Sequence, residues 1–200
     1  QVMLDFIIGI DAKLMYLFNV TLHNPVFNFY MPLFHEGDNW RIPLIIMWVL
    51  LMIFGGTRGR WAGLGGVLIL ALSDPISSHL IKPLVGRIRP CNVLGGLWFY
   101  GDGGWLLTPE ILTKVYKGSL SFTSSHAANT FGQAIWWGLL YPKIRWFWWV
   151  LGFSVGYSRI YDGVHYPFDV LGGWVVGTFC FAVVWYTAKK WGPKSFRESM

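Results

Sequence analysis

The chain has 200 residues and a net charge of +6; 54% of it is hydrophobic, only 13% is charged, and it holds 13 Trp. A charged share near half the usual ~25%, with Trp abundant as at membrane–water interfaces, excludes an ordinary soluble domain and points to an all-α polytopic membrane bundle. The positive charge does not indicate nucleic acid, because the Lys and Arg residues fall in short loops between apolar runs rather than along one soluble face.

In chain order, residues 2–20 are apolar but interrupted by Asp5, Asp11 and Lys13. At helical spacing Asp5, Gly9, Lys13 and Tyr16 share a face. The segment therefore reads as an amphipathic helix at the interface or against the bundle, with a true span as a sixth possibility. Residues 23–40 mix aromatics with turn residues and read as a short interfacial stretch, so residues 1–40 form an N-terminal unit. Five spanning cores follow, within a domain over residues 41–191: residues 42–54, 61–85, 122–140, 146–157 and 167–188. Pro75 is expected to kink or loosen the second. The loop over residues 91–118 is rich in Gly and aromatics, and residues 109–116 are expected to form a short helix capped by Thr108. Trp98, Phe99, Tyr100 and Trp105 in this loop either grip a lipid or anchor an aromatic belt. Residues 192–200 complete a basic tail. The chain starts on Gln, so its natural start is expected upstream, and no cleavable signal is visible. Cys91 and Cys180 have neither disulfide nor zinc spacing.

Arg58, Arg60, Lys143, Arg145, Lys189, Lys190, Lys194 and Arg197 fall on one side of five alternating spans. The positive-inside rule makes that side cytoplasmic, with the C-terminus. Three polar stretches then fall together on the opposite side: KPLVGRIRP (82–90), SFTSSH (121–126) and SRIYDGVHYPFD (158–169). Ionisable groups at membrane depth are costly and are functional candidates by default.

Each stretch has its own chemistry. If the helix continues through the first, Lys82 and Arg89 nearly eclipse, about 10 Å apart along the axis, while Arg87 points well away. Either they bind an anion or they snorkel to headgroups. In the second, Ser124 and Ser125 precede a helix beginning near His126. Free N–H groups there cradle an anion, or the serine is a plain cap; His126 beside them is a proton donor. In the third, Pro167 suits the first position of a helix, which puts Asp169 in the first turn and within reach of His165. A carboxylate on one imidazole nitrogen leaves the other free to attack. Arg159 supplies a planar guanidinium suited to two phosphate oxygens. Asp74, beside Pro75, either pairs with a cation near the site or is a satisfied structural carboxylate. His23, His35 and His79 read as structural or interfacial.

The order K-x6-RP, a Ser- and His-bearing middle element, then S-R-x5-H-x3-D resembles the three-part signature of the type 2 phosphatidic acid phosphatase superfamily over residues 65–190. The middle element departs from the family's P-S-G-H: Thr123 and Ser125 replace Pro and Gly, while Ser124 and His126 remain. The resemblance implies a lipid phosphatase in which Lys82, Arg89 and Arg159 bind the phosphoryl oxygens, helped by Ser124, Ser125 and backbone N–H groups. It further implies His165 as nucleophile through a phosphohistidine, Asp169 orienting it, and His126 as general acid and base, with no metal and no cofactor. The implied setting is a bacterial inner membrane with the site facing the periplasm. The implied substrates are undecaprenyl pyrophosphate or lipid A 1-phosphate, with phosphatidylglycerol phosphate as the alternative. Three rivals stand beside this reading: a lipid phosphotransferase, a vanadium-dependent haloperoxidase, against which the apolar spans argue, and a non-catalytic binder of anionic lipid, against which His126, His165 and Asp169 argue.

Overall fold

The computed structural model describes residues 2–34, 37–111, 114–191 and 194. Its helices in order are α1 (Val2–Tyr16), α2 (Pro25–Tyr30), α3 (Gly37–Phe54), α4 (Gly56–Pro75), α5 (Lys82–Val85), α6 (Ser125–Leu140), α7 (Arg145–Tyr161) and α8 (Pro167–Trp191), with one hairpin, β1 (Trp98–Gly101) and β2 (Gly104–Leu107). The five segments expected to span are helical, except for residues 122–124, which precede α6. Two stretches, Gly56–Asn92 and Pro167–Trp191, are long and apolar enough to cross a membrane. A third arises if α1 and α2, bent 94° apart, count as one broken span, and Trp40–Phe54 is a shorter apolar helix. Helices α6 and α7, at 16 and 17 residues, fall short of the ~20 residues that a bilayer core asks for.

The core is the contact of α4, α6 and α8, and small residues make it possible. Gly59, Ala62, Gly63 and Gly66 line the buried face of α4. The Trp136 indole lies on Gly65 so closely that a Cβ there would sit 2.0 Å from the ring, and it donates to the Ala62 carbonyl at 2.9 Å. Gly132 of α6 meets Gly177 of α8, whose own Cβ would lie 2.3 Å from the Ala128 carbonyl oxygen. Close backbone approach through small residues is how helices gain dispersion energy where lipid removes the hydrophobic incentive to associate. The outer faces are apolar and uncovered, as at Leu68, Val175 and Phe179. That pattern fits a lipid-facing surface.

Pro75 loosens the second span as its chemistry requires. Helix α4 ends there and the chain widens into a π turn, Ile76–Ile81, before α5. Both cysteines are buried and free.

The structure departs from the sequence expectations at three places. The first concerns α1, which packs on the bundle with its expected polar face outward, but buries a carboxylate, Asp11, that the helical pattern did not single out. Asp11, Met15 and, in the π turn after α1, Asn19 are buried, while Asp5, Lys13 and Tyr16 are exposed. A spacing of four carries this second face. The second concerns the loop over 91–118, where the described residues of 109–116 form no helix. The loop is organised by the hairpin instead. Asp102 (φ 52°) and Gly103 (φ 77°) form its two-residue turn, the Asp-Gly chemistry that such turns favour. The third departure lies in the first polar stretch and belongs to the site. The basic tail beyond residue 191 lies outside the described residues except for Lys194, and His35 lies outside them as well.

Candidate active site

Three backbone hydrogen bonds pin the polar stretches to one another. Ser121 N–H donates to the Arg87 carbonyl (2.7 Å), Cys91 N–H to the Gly163 carbonyl (3.2 Å) and Ser124 N–H to the Asp169 carbonyl (2.9 Å). The first joins stretches one and two, the second ties Cys91, the residue just past stretch one, to stretch three, and the third joins two and three. The stretches are therefore one site at the level of the main chain, before any side chain is considered.

The third stretch sets the centre. Helix α7 ends at Tyr161, and Gly163, at φ 77°, turns the chain back. A Cβ on Gly163 would lie 2.4 Å from the Trp98 carbonyl oxygen, so glycine is required both for the turn and for the approach of β1. The Arg159 carbonyl then accepts from the N–H groups of Val164 and His165 (3.2 and 3.1 Å), which fixes where the imidazole starts. Helix α8 begins at Pro167, placing Asp169 in its first turn.

His165 is 2% exposed. Its Nε2 lies 3.0 Å from Nη1 of Arg89. A guanidinium only donates, so Nε2 carries the lone pair and the ring proton sits on Nδ1. That nitrogen faces Oδ2 of Asp169 at 3.6 Å. At this length the contact is an electrostatic pairing rather than a hydrogen bond. Burial pushes the imidazole pKa down to about 3, and Arg89 pushes the same way against the opposing pull of Asp169. His165 is thus a neutral imidazole with its lone pair aimed at a cation.

Asp169 is fully buried and well supplied with donors. Its Oδ2 accepts from the Ser121 hydroxyl and from Tyr166 N–H (2.8 Å), and its Oδ1 accepts from Nη1 of Arg87 at 2.8 Å. Arg87 is the third departure. The expected helical register fails because α5 stops at Val85. Gly86 takes the left-handed conformation (φ 64°), and its N–H caps the Lys82 carbonyl at 2.9 Å. A left-handed glycine after the last turn is a common helix stop. Beyond it the chain is extended, Lys82 and Arg89 no longer share a helix face, and Arg87 turns inward. The same Nη1 of Arg87 pairs with Oδ2 of Asp11 at 2.7 Å. Its guanidinium lies over the Tyr166 ring, 3.8 Å from the centroid.

The cations differ in what they are paired with. Arg159 is 2% exposed, held by the Ser158 hydroxyl (3.0 and 3.1 Å) and paired with Asp162 at 3.3 Å. Arg89 meets neutral acceptors only. Its Nε donates to the Ser119 carbonyl (2.8 Å), its Nη2 to the Ser119 hydroxyl (2.9 Å), and its Nη1 to the Val164 carbonyl (2.7 Å) and to His165. Lys82 lies within electrostatic reach of Arg89, Asp74 and Asp169, and no carboxylate among the described residues pairs with it. Lys82 and Arg89 therefore carry positive charge that no ion pair cancels, as an anion site requires.

In the second stretch Ser124 is the N-cap of α6, its Oγ accepting from Ala127 N–H at 3.4 Å. The capping reading holds, and the first-turn N–H groups of α6 lack intrahelical acceptors as at any helix start. Ser125 shares a hydrogen bond with Ser78 (2.9 Å). His126 stands exposed in the first turn of α6. Asp74, also exposed, accepts from Asn129 at 3.3 Å. The hairpin aromatics are committed elsewhere: His23 stacks between Trp98 (4.5 Å) and Tyr161 (5.0 Å), and Trp105 sits edge-on to both His23 and Tyr161. These rings brace the back of the site.

Arg87, Asp11, Ser121 and Ser119 also belong to this cluster, beyond the residues expected from the sequence. Gly86 was the available signal for Arg87. For Asp11, the signal was its spacing of four from Met15 and eight from Asn19.

With this geometry in place, the relatives are informative. The family model of the PAP2 superfamily matches residues 62–193. The chain is 31% identical to a lipid A 4′-phosphatase of Bacteroides thetaiotaomicron, over 94% of this chain and 81% of that protein. It is 30% identical to an undecaprenyl-diphosphatase of Sulfolobus acidocaldarius, over 65% of this chain and 56% of that one. In fold it resembles the crystal structure of a transmembrane PAP2-type phosphatidylglycerolphosphate phosphatase from Bacillus subtilis, with a TM-score of 0.67 and 23% identity over 92% of this chain and 87% of that one. The chain belongs to the PAP2 superfamily.

Proposed function

We propose that this PAP2-superfamily protein removes a phosphate from a membrane lipid by way of a phosphohistidine on His165. The observation that carries the reading is the imidazole itself: neutral, buried, with Nε2 facing Arg89 at 3.0 Å and Asp169 behind the other nitrogen. A phosphoryl group entering between Nε2 and the guanidinium exchanges one acceptor of Arg89 for another. Lys82 and Arg89 supply the charge, and Arg159, Ser124, Ser125 and the first-turn N–H groups of α6 supply further donors.

In the first step the Nε2 lone pair forms the N–P bond while the P–O bond to the lipid breaks. The departing electron pair stays on the lipid oxygen, which takes a proton from His126. In the second step His126 takes a proton from water, the water oxygen bonds to phosphorus, and the N–P electrons return to Nε2. Asp169 holds the Nδ1 proton throughout and balances the charge that the ring acquires.

The substrate reading follows the relatives. Likeness along nearly the whole chain to a lipid A 4′-phosphatase favours a lipid A phosphate, ahead of undecaprenyl pyrophosphate and phosphatidylglycerol phosphate. In this reading five spans within residues 41–191, an N-terminal amphipathic or interfacial segment over 1–40 and a basic tail over 192–200 make up a bacterial inner-membrane protein. The active site then faces the periplasm and the C-terminus the cytoplasm. The grouping of Arg58 over the Tyr141 ring (5.4 Å) and of Lys189 over Trp185 (5.1 Å) at the end of the bundle away from His165 supports that orientation through the positive-inside rule.

The test is phosphate release in detergent with EDTA from each of the three lipids, beside His165→Ala, with mass spectrometry of the lipid product. Release is expected from the wild type without metal and none from the variant. A requirement for added metal, or activity that survives loss of His165, would refute the mechanism. Preference for a non-glycosylated lipid would refute the substrate assignment.

A further inference from the structure

Asp11 lies outside the span matched by the family model, residues 62–193, yet it reaches the centre of the site. It is fully buried, an expensive state for a carboxylate in an apolar bundle unless it is fully used. One of its oxygens accepts a hydrogen bond, and the other lies in an ion pair without hydrogen-bond geometry. Oδ1 accepts from Phe168 N–H at 2.9 Å, at the start of α8 and one residue before Asp169, and Oδ2 takes Nη1 of Arg87 at 2.7 Å. That single guanidinium nitrogen also holds Oδ1 of Asp169 at 2.8 Å. Asp11, Arg87 and Asp169 thus form a line of two carboxylates around one cation, ending at His165.

The arithmetic of charge gives the line its purpose. Two carboxylates and one guanidinium sum to −1. If Arg87 faced Asp169 alone, the pair would be neutral, and nothing would balance the positive charge that the imidazole gains when Nε2 binds phosphorus. With Asp11 present, Arg87 orients Asp169 without cancelling it. A solely structural ion pair between α1 and the site loop would need Asp11 and Arg87 only. The sharing of one nitrogen between both carboxylates is what couples α1 to the reaction.

We infer that Asp11 is a positioning residue for the phosphatase chemistry: acting through Arg87, it fixes Asp169 and preserves its negative charge, so that the N-terminal helix is a working part of the active site. The inference rests on the lipid-phosphatase reading above, with His165 as nucleophile.

The experiment measures kcat and KM of purified wild type, Asp11→Asn, Arg87→Gln and the double variant on whichever of the three lipids the wild type hydrolyses, together with melting temperature in the same detergent. Asp11→Asn is expected to lower kcat on the order of tenfold with KM held within twofold, since Asp11 touches no phosphate contact. Arg87→Gln is expected to do the same, and the double variant to fall no further than Arg87→Gln alone. Asp11→Glu, which keeps the charge, is expected to retain at least half of the wild-type kcat.

Unchanged kcat in Asp11→Asn, multiplying effects in the double variant, or equal losses in Asp11→Glu and Asp11→Asn would each overturn the inference. Should Asp11→Asn fail to accumulate as folded protein, Arg87→Lys decides. An ammonium is expected to hold the two carboxylates less well and lower kcat at constant KM, and wild-type kcat would overturn the inference equally. A wild type inactive on all three lipids would instead refute the phosphatase reading itself, so the two failures are distinguishable.

Discussion

Gly173→Ala tests whether the helix contact beneath the site sets its geometry. Gly173 lies on α8, one turn beyond Asp169, facing the start of α6. A Cβ there would sit 2.5 Å from the Ser124 carbonyl oxygen, 3.0 Å from Cβ of Ala127 and 3.1 Å from the Ala128 nitrogen. Side-chain carbons essentially never come closer than 3.0 Å, so the Ser124 carbonyl must retreat by at least about 0.5 Å. It cannot retreat alone. The same oxygen accepts the Ala128 N–H (3.0 Å), and the N–H of Ser124 binds the Asp169 carbonyl (2.9 Å). The shift therefore passes into the first turn of α6, which carries His126, and into the turn that holds Asp169.

A misplacement of ~1 Å costs about 10²-fold in rate, so half of that predicts roughly a tenfold fall in kcat. Overpacking should cost about 1–3 kcal/mol of stability. Two controls separate the causes. Gly177→Ala creates a worse clash, 2.3 Å from the Ala128 carbonyl, but one turn farther from the site, so it should lose more stability than Gly173→Ala and less kcat per kcal/mol lost. Gly9→Ala, inside α1 with nothing within 4 Å, should leave kcat unchanged and hold or slightly raise stability. Phosphate release and thermal melting in one detergent read all three. A Gly173→Ala protein with kcat within twofold of wild type would refute the claim that this contact positions the site.

Three further outcomes follow from the same geometry. Below pH 6.5 an unfolded chain protonates His165 while the folded site, with its pKa pushed down to about 3, does not. The native state should therefore lose stability as pH falls, by about 2 kcal/mol at pH 5. His165→Gln should remove that part of the pH dependence in thermal melts, and identical pH profiles for the two proteins would contradict a buried neutral imidazole. Arg89→Lys keeps the charge but not the fork that spans Ser119, Val164 and His165, so phosphate release should fall at least about 30-fold; near-wild-type turnover would show that charge alone suffices. Asn19, fully buried, donates to the Trp98 and Tyr161 carbonyls (2.8 and 2.7 Å) and accepts from Trp98 N–H at 2.8 Å. Asn19→Ala should cost about 2–4 kcal/mol of stability by leaving those groups unpaired, and a melting temperature unchanged in detergent would count against this brace.

The sequence carried the centre of the site because its local rules coincide with its chemistry. Pro167 starts a helix and so places Asp169, and a serine before an apolar run caps a helix and so places Ser124. What stayed hidden depended on where the chain stops being helical. A continuous helix points Arg87 well away from Lys82 and Arg89, and one left-handed glycine ends that helix and brings Arg87 to Asp169. Asp11 was visible only as a charge in an apolar helix. Which face that helix buries is decided by the groove it meets, a long-range fact that the periodicity of α1 alone does not contain. The hairpin over 98–107 had a readable Asp-Gly turn, but its aromatics matched a membrane belt equally well.

The pattern of ion pairs explains how this cluster tolerates burial and, on the proposed reading, how it would draw phosphate. A site of four cations beneath an apolar surface would repel itself and unfold unless most of that charge were cancelled. Arg159 is offset by Asp162, and Arg87 by Asp169 and Asp11 together. Among the described residues, Lys82 and Arg89 alone of these cations have no carboxylate partner. Arg89 is instead stabilised by carbonyl and hydroxyl oxygens, which orient a guanidinium without neutralising it. The residual positive charge is thereby concentrated at the lone pair of His165. Substituting Ser119 with Asp would test this directly: it should leave Arg89 in place while cancelling its charge. KM for a lipid phosphate should then rise and kcat fall, while thermal stability holds or improves. A Ser119→Asp protein that binds and turns over substrate like wild type would mean that the unpaired charge of Arg89 is not what draws phosphate to His165.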